Sequence, residues 1–428
     1  MKEENNNNIE KVIWRYLPNI YQLSQYLPQS DLIQLSLACS QFRDKLNSVI
    51  FKKLELMRGG IVIPGKPNKS SKKKQLISLL DMLEEGYLDR YNIVNHCIFG
   101  EFFNSRFARN FFNLFNNITQ LELYSGNDYN CYIHLSITED IGSNTALIEA
   151  LYPLKNLESL TMSSELINSL IYSSRLSLKL PVCLKSLNLI ESKVDLNRLK
   201  FYPFENINEE YSNLKKVTII NDTMLSSMVT RMKSLTDVTI FNHKYFSKNS
   251  LIQFLLLNPQ LEKLTAPAYF LERDLVNSIL QMKQLKQLNI KYSLYRTSDD
   301  IRNMPVNKSI EHLNISCPIS SDILVLIFNN LKSIKVLEFS NFSFYSILDI
   351  KFSANEGRIP LLHLNSLMFA NDAIRLFKNP KIFDRIRLTN MFDLDYYLTN
   401  YKGDDLESWD VCNLDPTNST EFNLIKKT

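Results

Sequence analysis

One short pattern returns along most of this chain: apolar, two variable residues, apolar, one variable residue, apolar. It is first read at Ile118-Thr-Gln-Leu121-Glu-Leu123. Further copies begin at Leu157, Leu184, Leu214, Leu235, Leu261, Leu285, Ile310, Ile334, Leu364, Phe383 and Leu406. The twelve copies recur about every 26 residues, and from 235 to 334 the steps are 26, 24, 25 and 24. Within a copy the last two apolar residues are two apart, the spacing of one face of a strand. A lone short strand cannot bury such a face. Stacking each unit on the next can, so a fixed period of this length predicts side-by-side parallel strands.

The gaps carry helical patterns. Ser250–Leu257, Asp274–Leu280 and Asp322–Phe328 are densely apolar, with Ser or Asp near each start to accept backbone hydrogen bonds. Strand, helix, strand at this spacing gives an α/β fold with parallel strands on a concave face and helices on a convex one. Two steps are long. One holds an insertion, Ser125 to Leu151, in which Cys131–Ile137 alternates like an extra strand; the other holds Phe201–Asn206. Asn stands two residues after the last motif apolar at Asn221, Asn242, Asn341, Asn371, Asn390 and Asn413. These side chains are expected to bond the local backbone where each strand turns.

From about 118 to 413 the chain resembles the leucine-rich-repeat superfamily, with one departure: the usual Asn or Cys stands one position later there. The resemblance implies a horseshoe-shaped solenoid whose concave surface binds a protein. Its central row would be Glu122, Thr161, Asn188, Thr218, Thr239, Thr265, Asn289, Asn314, Glu338, Met368, Arg387 and Asp410, mostly neutral and polar. Ile190, Ile220 and Phe241 would be exposed apolar neighbours on three successive strands. The residues expected to touch a target are Asn188, Ile190, Thr218, Ile220, Thr239, Phe241, Asn289, Asn314, Glu338 and Arg387.

Ahead of the repeats, Asp31 stands where it can cap a helix, with Gln34 as its capping-box partner. Leu32, Leu35, Cys39, Phe42 and Leu46 follow at three- and four-residue steps and make one apolar face, with Leu37 and Phe51 off it. Residues 17–56 resemble an F-box, through Leu17-Pro18, Tyr26-Leu27, Asp31-Leu32, Leu35-Ser-Leu37, Cys39, Gln41-Phe42-Arg43 and Phe51. The first half departs from that family: Asn19 and Ile20 stand where it has an acidic residue, and about two extra residues precede Tyr26-Leu27. The resemblance implies a three-helix module that docks a Skp1-like adaptor of a cullin-RING ubiquitin ligase, while the repeats capture the target. The adaptor contacts would be Leu17, Pro18, Leu23, Leu27, Asp31, Leu32, Leu35, Leu37, Phe42 and Phe51. The alternatives are a helical cap for the first repeat, or a repeat scaffold outside any ligase. A tail (1–16), a Gly/Pro/Ser linker with Lys72–Lys74 (57–75), an aromatic helical cap (76–117) and a C-terminal tail (414–428) complete the expected layout.

Several functions are disfavoured. The net charge is +4, from 49 basic and 45 acidic residues among 428, so no nucleic-acid partner is expected. The six cysteines are scattered without a CxxC pair, which suits reduced core residues. The start lacks the apolar run of a signal peptide, and no run is long enough to span a membrane, so cytosol or nucleus is expected. Gly60–Pro67 nearly matches a phosphate-binding loop, but Pro67 stands where magnesium needs Ser or Thr. No enzyme, cofactor or metal site is expected.

Overall fold

The structure, a computed structural model, describes residues 22, 24–27, 29–38, 45–46, 49–50, 52–56, 93–99, 105–124, 151, 154–163, 166, 180–190, 204, 206–241, 246–268, 272–291, 304–317, 327–340, 359–365, 383–389, 409–413 and 421–427. It is an α/β protein of mostly parallel strands. The chain divides into two compact units, Met1–Leu157 and Glu158–Thr428.

In the first unit, helix α1 (Gln29–Ala38) begins two residues before the expected cap. Asp31 therefore sits in the first helical turn, where its negative charge meets the positive helix end. Leu32 packs with Leu46 and Ile50, bordered by Leu27, Leu35 and Val49. Residues 45–46 and 49–50 are also helical, but a three-helix module is not shown among the described residues. Instead the F-box-like segment ends in a strand. β1 (Lys53–Leu56), β2 (His96–Phe99) and β3 (Gln120–Leu123) form a parallel ladder, with Lys53 opposite His96 and His96 opposite Gln120. Two of these strands precede the first expected copy, yet Phe51-x-x-Leu54-x-Leu56 and Val94-x-x-Cys97-x-Phe99 carry the same motif. The wide spacing, and a cysteine at a core position, hid them. Cys97 is fully buried, and burial pushes its thiol up to about 12, so it is an inert core residue.

The expected helical cap over 76–117 is thus partly strand. Its helix, α2 (Ser105–Leu114), lies between β2 and β3, as a parallel pair requires a crossover. Phe111, Phe112 and Phe115 are buried, and Phe99 meets Phe111 edge-to-face at 5.1 Å between ring centroids.

In the second unit, β4 (Ser159–Ser163), β5 (Ser186–Ile190), β6 (Lys216–Ile219), β7 (Asp237–Ile240), β8 (Lys263–Pro267), β9 (Gln287–Lys291), β10 (His312–Ser316), β11 (Val336–Ser340), β12 (Ile359–Asn365) and β13 (Phe383–Thr389) each pair in parallel with the next. A single bond arrangement joins them. The carbonyl after the first motif apolar accepts two N–H groups from the next strand: Glu158 O takes Lys185 N at 2.7 Å and Ser186 N at 2.9 Å. Lys185, Lys215, Thr236, Glu262, Lys286 and Glu311 repeat this in turn, and Lys52 and Asn95 do so in the first unit.

Helices α3 (Asp222–Ser227), α4 (Lys248–Leu257) and α5 (Arg273–Leu280) fill successive crossovers. Asn221 caps α3 by accepting from Met224 N at 2.8 Å, the local role expected of the post-strand asparagines. The side chains of the other five lie outside the described residues. Ser247, rather than Ser250, caps α4. For the expected helix at 322–328, residues 327–330 are helical and the rest lies outside the described residues, as does nearly all of the 125–151 insertion.

Two ends of the repeat reading are corrected. The copy placed at Leu364–Phe369 is instead Ile359-Pro-Leu-Leu362-His-Leu364, whose three apolar residues are buried. Both phases contain Leu364. Pairing with β11, Leu337 opposite Leu362, selects the earlier one and makes His363 the central residue in place of Met368. The last copy, β14 (Trp409–Asn413), does not pair with β13. β15 (Glu421–Lys426), inside the segment read as a tail, lies antiparallel between them. A connection of a few residues can fold back only as a hairpin.

Among the described residues of the second unit, a fourth core column lies three residues before the motif: Pro181, Tyr211, Met232, Asn258, Met282, Asn307 and Leu331, all buried. Its carbonyl closes a tight turn onto the strand, as in Leu235 N to Met232 O at 3.0 Å and Leu261 N to Asn258 O at 3.3 Å. Two members are asparagines, and both bridge repeats. Asn258 Oδ1 accepts from Met232 N at 2.9 Å, while its Nδ2 donates to Thr230 O and Phe254 O. Asn307 Nδ2 donates likewise to Leu280 O and Met282 O. Asn258→Ala strands these buried groups and should lower urea stability by about 3 kcal/mol. Lys185→Ala, which breaks only an exposed ion pair with Glu158, should change it by less than about 0.5 kcal/mol.

Candidate recognition surface

Side chains between the motif apolars point away from the core, and the registers line them up. In the second unit the row runs Thr161, Asn188, Thr218, Thr239, Thr265, Asn289, Asn314, Glu338, His363, Arg387, Asn423. Its middle is closed. Thr218, Thr265 and Asn289 are buried, and neighbours bond across strands: Thr218 Oγ1 donates to Asn188 Oδ1 at 3.3 Å and Asn289 Nδ2 to Thr265 Oγ1 at 2.9 Å. Gln287 Nε2 donates to Asn289 Oδ1 at 3.1 Å. These groups act as a polar seam between strands. Thr239, Asn188 and Asn314 are half-buried, and Asn314 accepts from Ser316 Oγ at 3.0 Å.

The apolar strip expected beside this row is not exposed. Ile220 is 1% and Phe241 7% exposed, and Ile190 is half-buried. β6 ends at Ile219 and β7 at Ile240, so strand alternation has stopped before Ile220 and Phe241, and their side chains join the core. Ile190 still lies within β5.

Charge gathers toward the C-terminal strands. Glu338 stands between two histidines from flanking strands: His312 Nε2 lies 3.1 Å from Oε2 and His363 Nδ1 3.8 Å from Oε1. Ser340 Oγ donates to Oε1 at 3.0 Å. The hydrogen bond from His312, then the nearby imidazole of His363, hold the Glu338 carboxyl far below the usual range, against the opposing effect of burial. His363 also meets Thr389 Oγ1 at 3.0 Å, and Arg387 follows in the row. Sequence reading named Glu338 and Arg387 but not the histidines. His312 stands two residues before the central position, and His363 was hidden by the register error. In the first unit Glu122 has a similar setting. Burial raises its carboxyl, but hydrogen bonds from Tyr124 at 2.6 Å and His96 at 2.8 Å outweigh it and leave it lowered.

Of the predicted adaptor contacts, Leu17, Pro18, Leu23, Phe42 and Phe51 lie outside the described residues. Leu32 is buried, and Leu27 and Leu35 border its cluster, so these three hold the helix in place. Asp31 is exposed, and among the described residues of this segment the exposed large apolar side chains are Leu37 at 61% and Tyr26 at 83%. Among the described residues no three His, Cys, Asp or Glu side chains are placed to hold a metal ion, and no helix is long and apolar enough to cross a membrane.

Fold and surface together define an α/β protein of mostly parallel strands carrying a polar, locally charged strand face. No protein-family model matches the chain, and no curated protein matches it significantly.

The carboxylate between the histidines makes stability depend on acid. A lowered carboxyl contributes stability that is complete above its ordinary value of 4.5 and is lost as the pH falls further. Glu338→Gln should cost about 1–2 kcal/mol at pH 7. In urea titrations the gap to the parent protein should narrow steadily below pH 4.5.

Proposed function

We propose that this chain is the substrate-recognition subunit of a Skp1–cullin–F-box type ubiquitin ligase. In this reading the second unit is a leucine-rich-repeat solenoid, with strands lining the concave side and capturing a target protein. The N-terminal segment docks a Skp1-like adaptor and, through it, a cullin-RING ligase. The chain itself catalyses nothing and acts by raising the target's concentration near the ligase.

The observation that carries the reading is the pairing of two features. An α1 helix presents Leu37 on its exposed side, ahead of repeated parallel strands in constant register. An exposed leucine on a helix whose other face is already committed to a core is a ready partner contact.

A second reading, a repeat scaffold outside any ligase, draws support from β1. The last residues of the F-box-like segment are built into the first unit's ladder. A segment so integrated also serves as an end cap.

The test is copurification with a Skp1-like adaptor. Removing 17–56 would also remove β1, so a point change is cleaner. Leu37→Asp, at an exposed position, should leave the melting temperature unchanged and weaken adaptor capture at least about tenfold. Absence of capture by the intact chain, or equal capture by the variant, would reject the adaptor role. A captured target whose half-life ignores this protein would favour the scaffold.

A further inference from the structure

We propose that the rim where β12 and β13 begin and β15 ends docks an extended segment of a partner protein in which acidic residues stand beside apolar ones. The proposal deepens the target-capture reading above and rests on it for its biological role.

A groove of about 850 Å³ lies at this rim, with Pro360, Leu361 and Ile425 as its apolar lining. Leu361 stands opposite Arg385 and Arg385 opposite Ile425, so three strands set these side chains in one row. Ile425 is 38% exposed although it is a large aliphatic residue on a paired strand. Arg385, Lys426 and Lys427 supply three positive charges to the same lining, against one carboxylate, Asp384. Among the described residues no ion pair engages any of the three. Beyond the groove, Asp410 lies opposite Ile425 on β14 and is exposed.

The row is therefore apolar, cationic, apolar across adjacent strands, with two lysines at its edge. An occupant that matches it carries an apolar side chain near Leu361 and Ile425 and carboxylates facing Arg385 and the lysines. An extended peptide does this, because its side chains alternate in direction. Carboxylate against guanidinium is the stronger half of the match. A nucleic acid fits less well. It needs a continuous cationic track and aromatic faces for its bases. Here the described lining holds no aromatic residue, and Asp384 interrupts the cations.

An immobilised library of random octapeptides, probed with the full-length chain, tests this. Selected sequences should be enriched in Asp and Glu next to Leu, Ile, Val or Phe. The triple variant Arg385→Glu, Lys426→Glu, Lys427→Glu should weaken selected peptides at least about tenfold, and Ile425→Ser about fivefold. Should the triple variant fail to fold, Lys426→Gln with Lys427→Gln, which removes charge without reversing it, should still weaken them about threefold. Selection of basic or neutral sequences, or affinities unmoved by these changes, would overturn the proposal. So would equal competition by polyglutamate or single-stranded DNA, which would mean simple polyanion attraction. Adaptor capture is measured on the same preparations. Peptide selection without adaptor capture keeps the groove and removes the ligase reading; adaptor capture without selection does the reverse.

Discussion

Among the described residues, one backbone contact registers most of the parallel strands. A carbonyl just after the first motif apolar takes two N–H groups from the next strand, at Glu158, Lys185, Lys215, Thr236, Glu262, Lys286 and Glu311 in the second unit and at Lys52 and Asn95 in the first. The contact uses no side chain, so position 158 can be Glu and position 236 Thr without effect on it. It fixes which residue of one strand faces which residue of the next. A slip of one position would turn every motif apolar outward, so the buried columns and the carbonyl arrangement enforce each other.

Crossovers of different composition are tolerated for the same reason. Some contain a capped helix, as α4 does, and others run in turns among the described residues, yet those into β5 to β11 each return through a buried residue three before the motif. Asn258 and Asn307 show how a polar residue serves in that column. Each satisfies backbone groups of the preceding repeat, which replaces apolar packing with hydrogen bonds between units. Exposed pairs such as Lys185–Glu158 and Lys335–Glu311 follow the same period but add little, because water screens them.

On the outer side of the strands, closeness cuts both ways. Where Thr and Asn stand in line, they bond one another and close the surface, so the middle of the row is structural. Where the row meets Glu338, His363 and Arg387, charge returns at half-buried positions, and beyond them the β15 hairpin adds Ile425, Lys426 and Lys427. Among the described residues of the row, charged side chains are therefore concentrated toward the C-terminal strands of the second unit.

The sequence by itself determined the strands, their parallel order and the buried columns, because a strict apolar spacing repeated at near-constant intervals admits few other solutions. It also pointed to a local backbone bond at Asn221 and to Glu338 and Arg387 as residues between motif apolars. Four features were left to tertiary structure. Strands β1 and β2 depend on a cysteine and a wide spacing that only pairing resolves. The phase of β12 was ambiguous because Leu364 belongs to two overlapping motifs, and only β11 chose between them. The burial of Ile220 and Phe241 follows from where the strands end, which residue type does not state. The insertion of β15 between β13 and β14 is a long-range pairing, and nothing in a six-residue segment encodes which edge it will join.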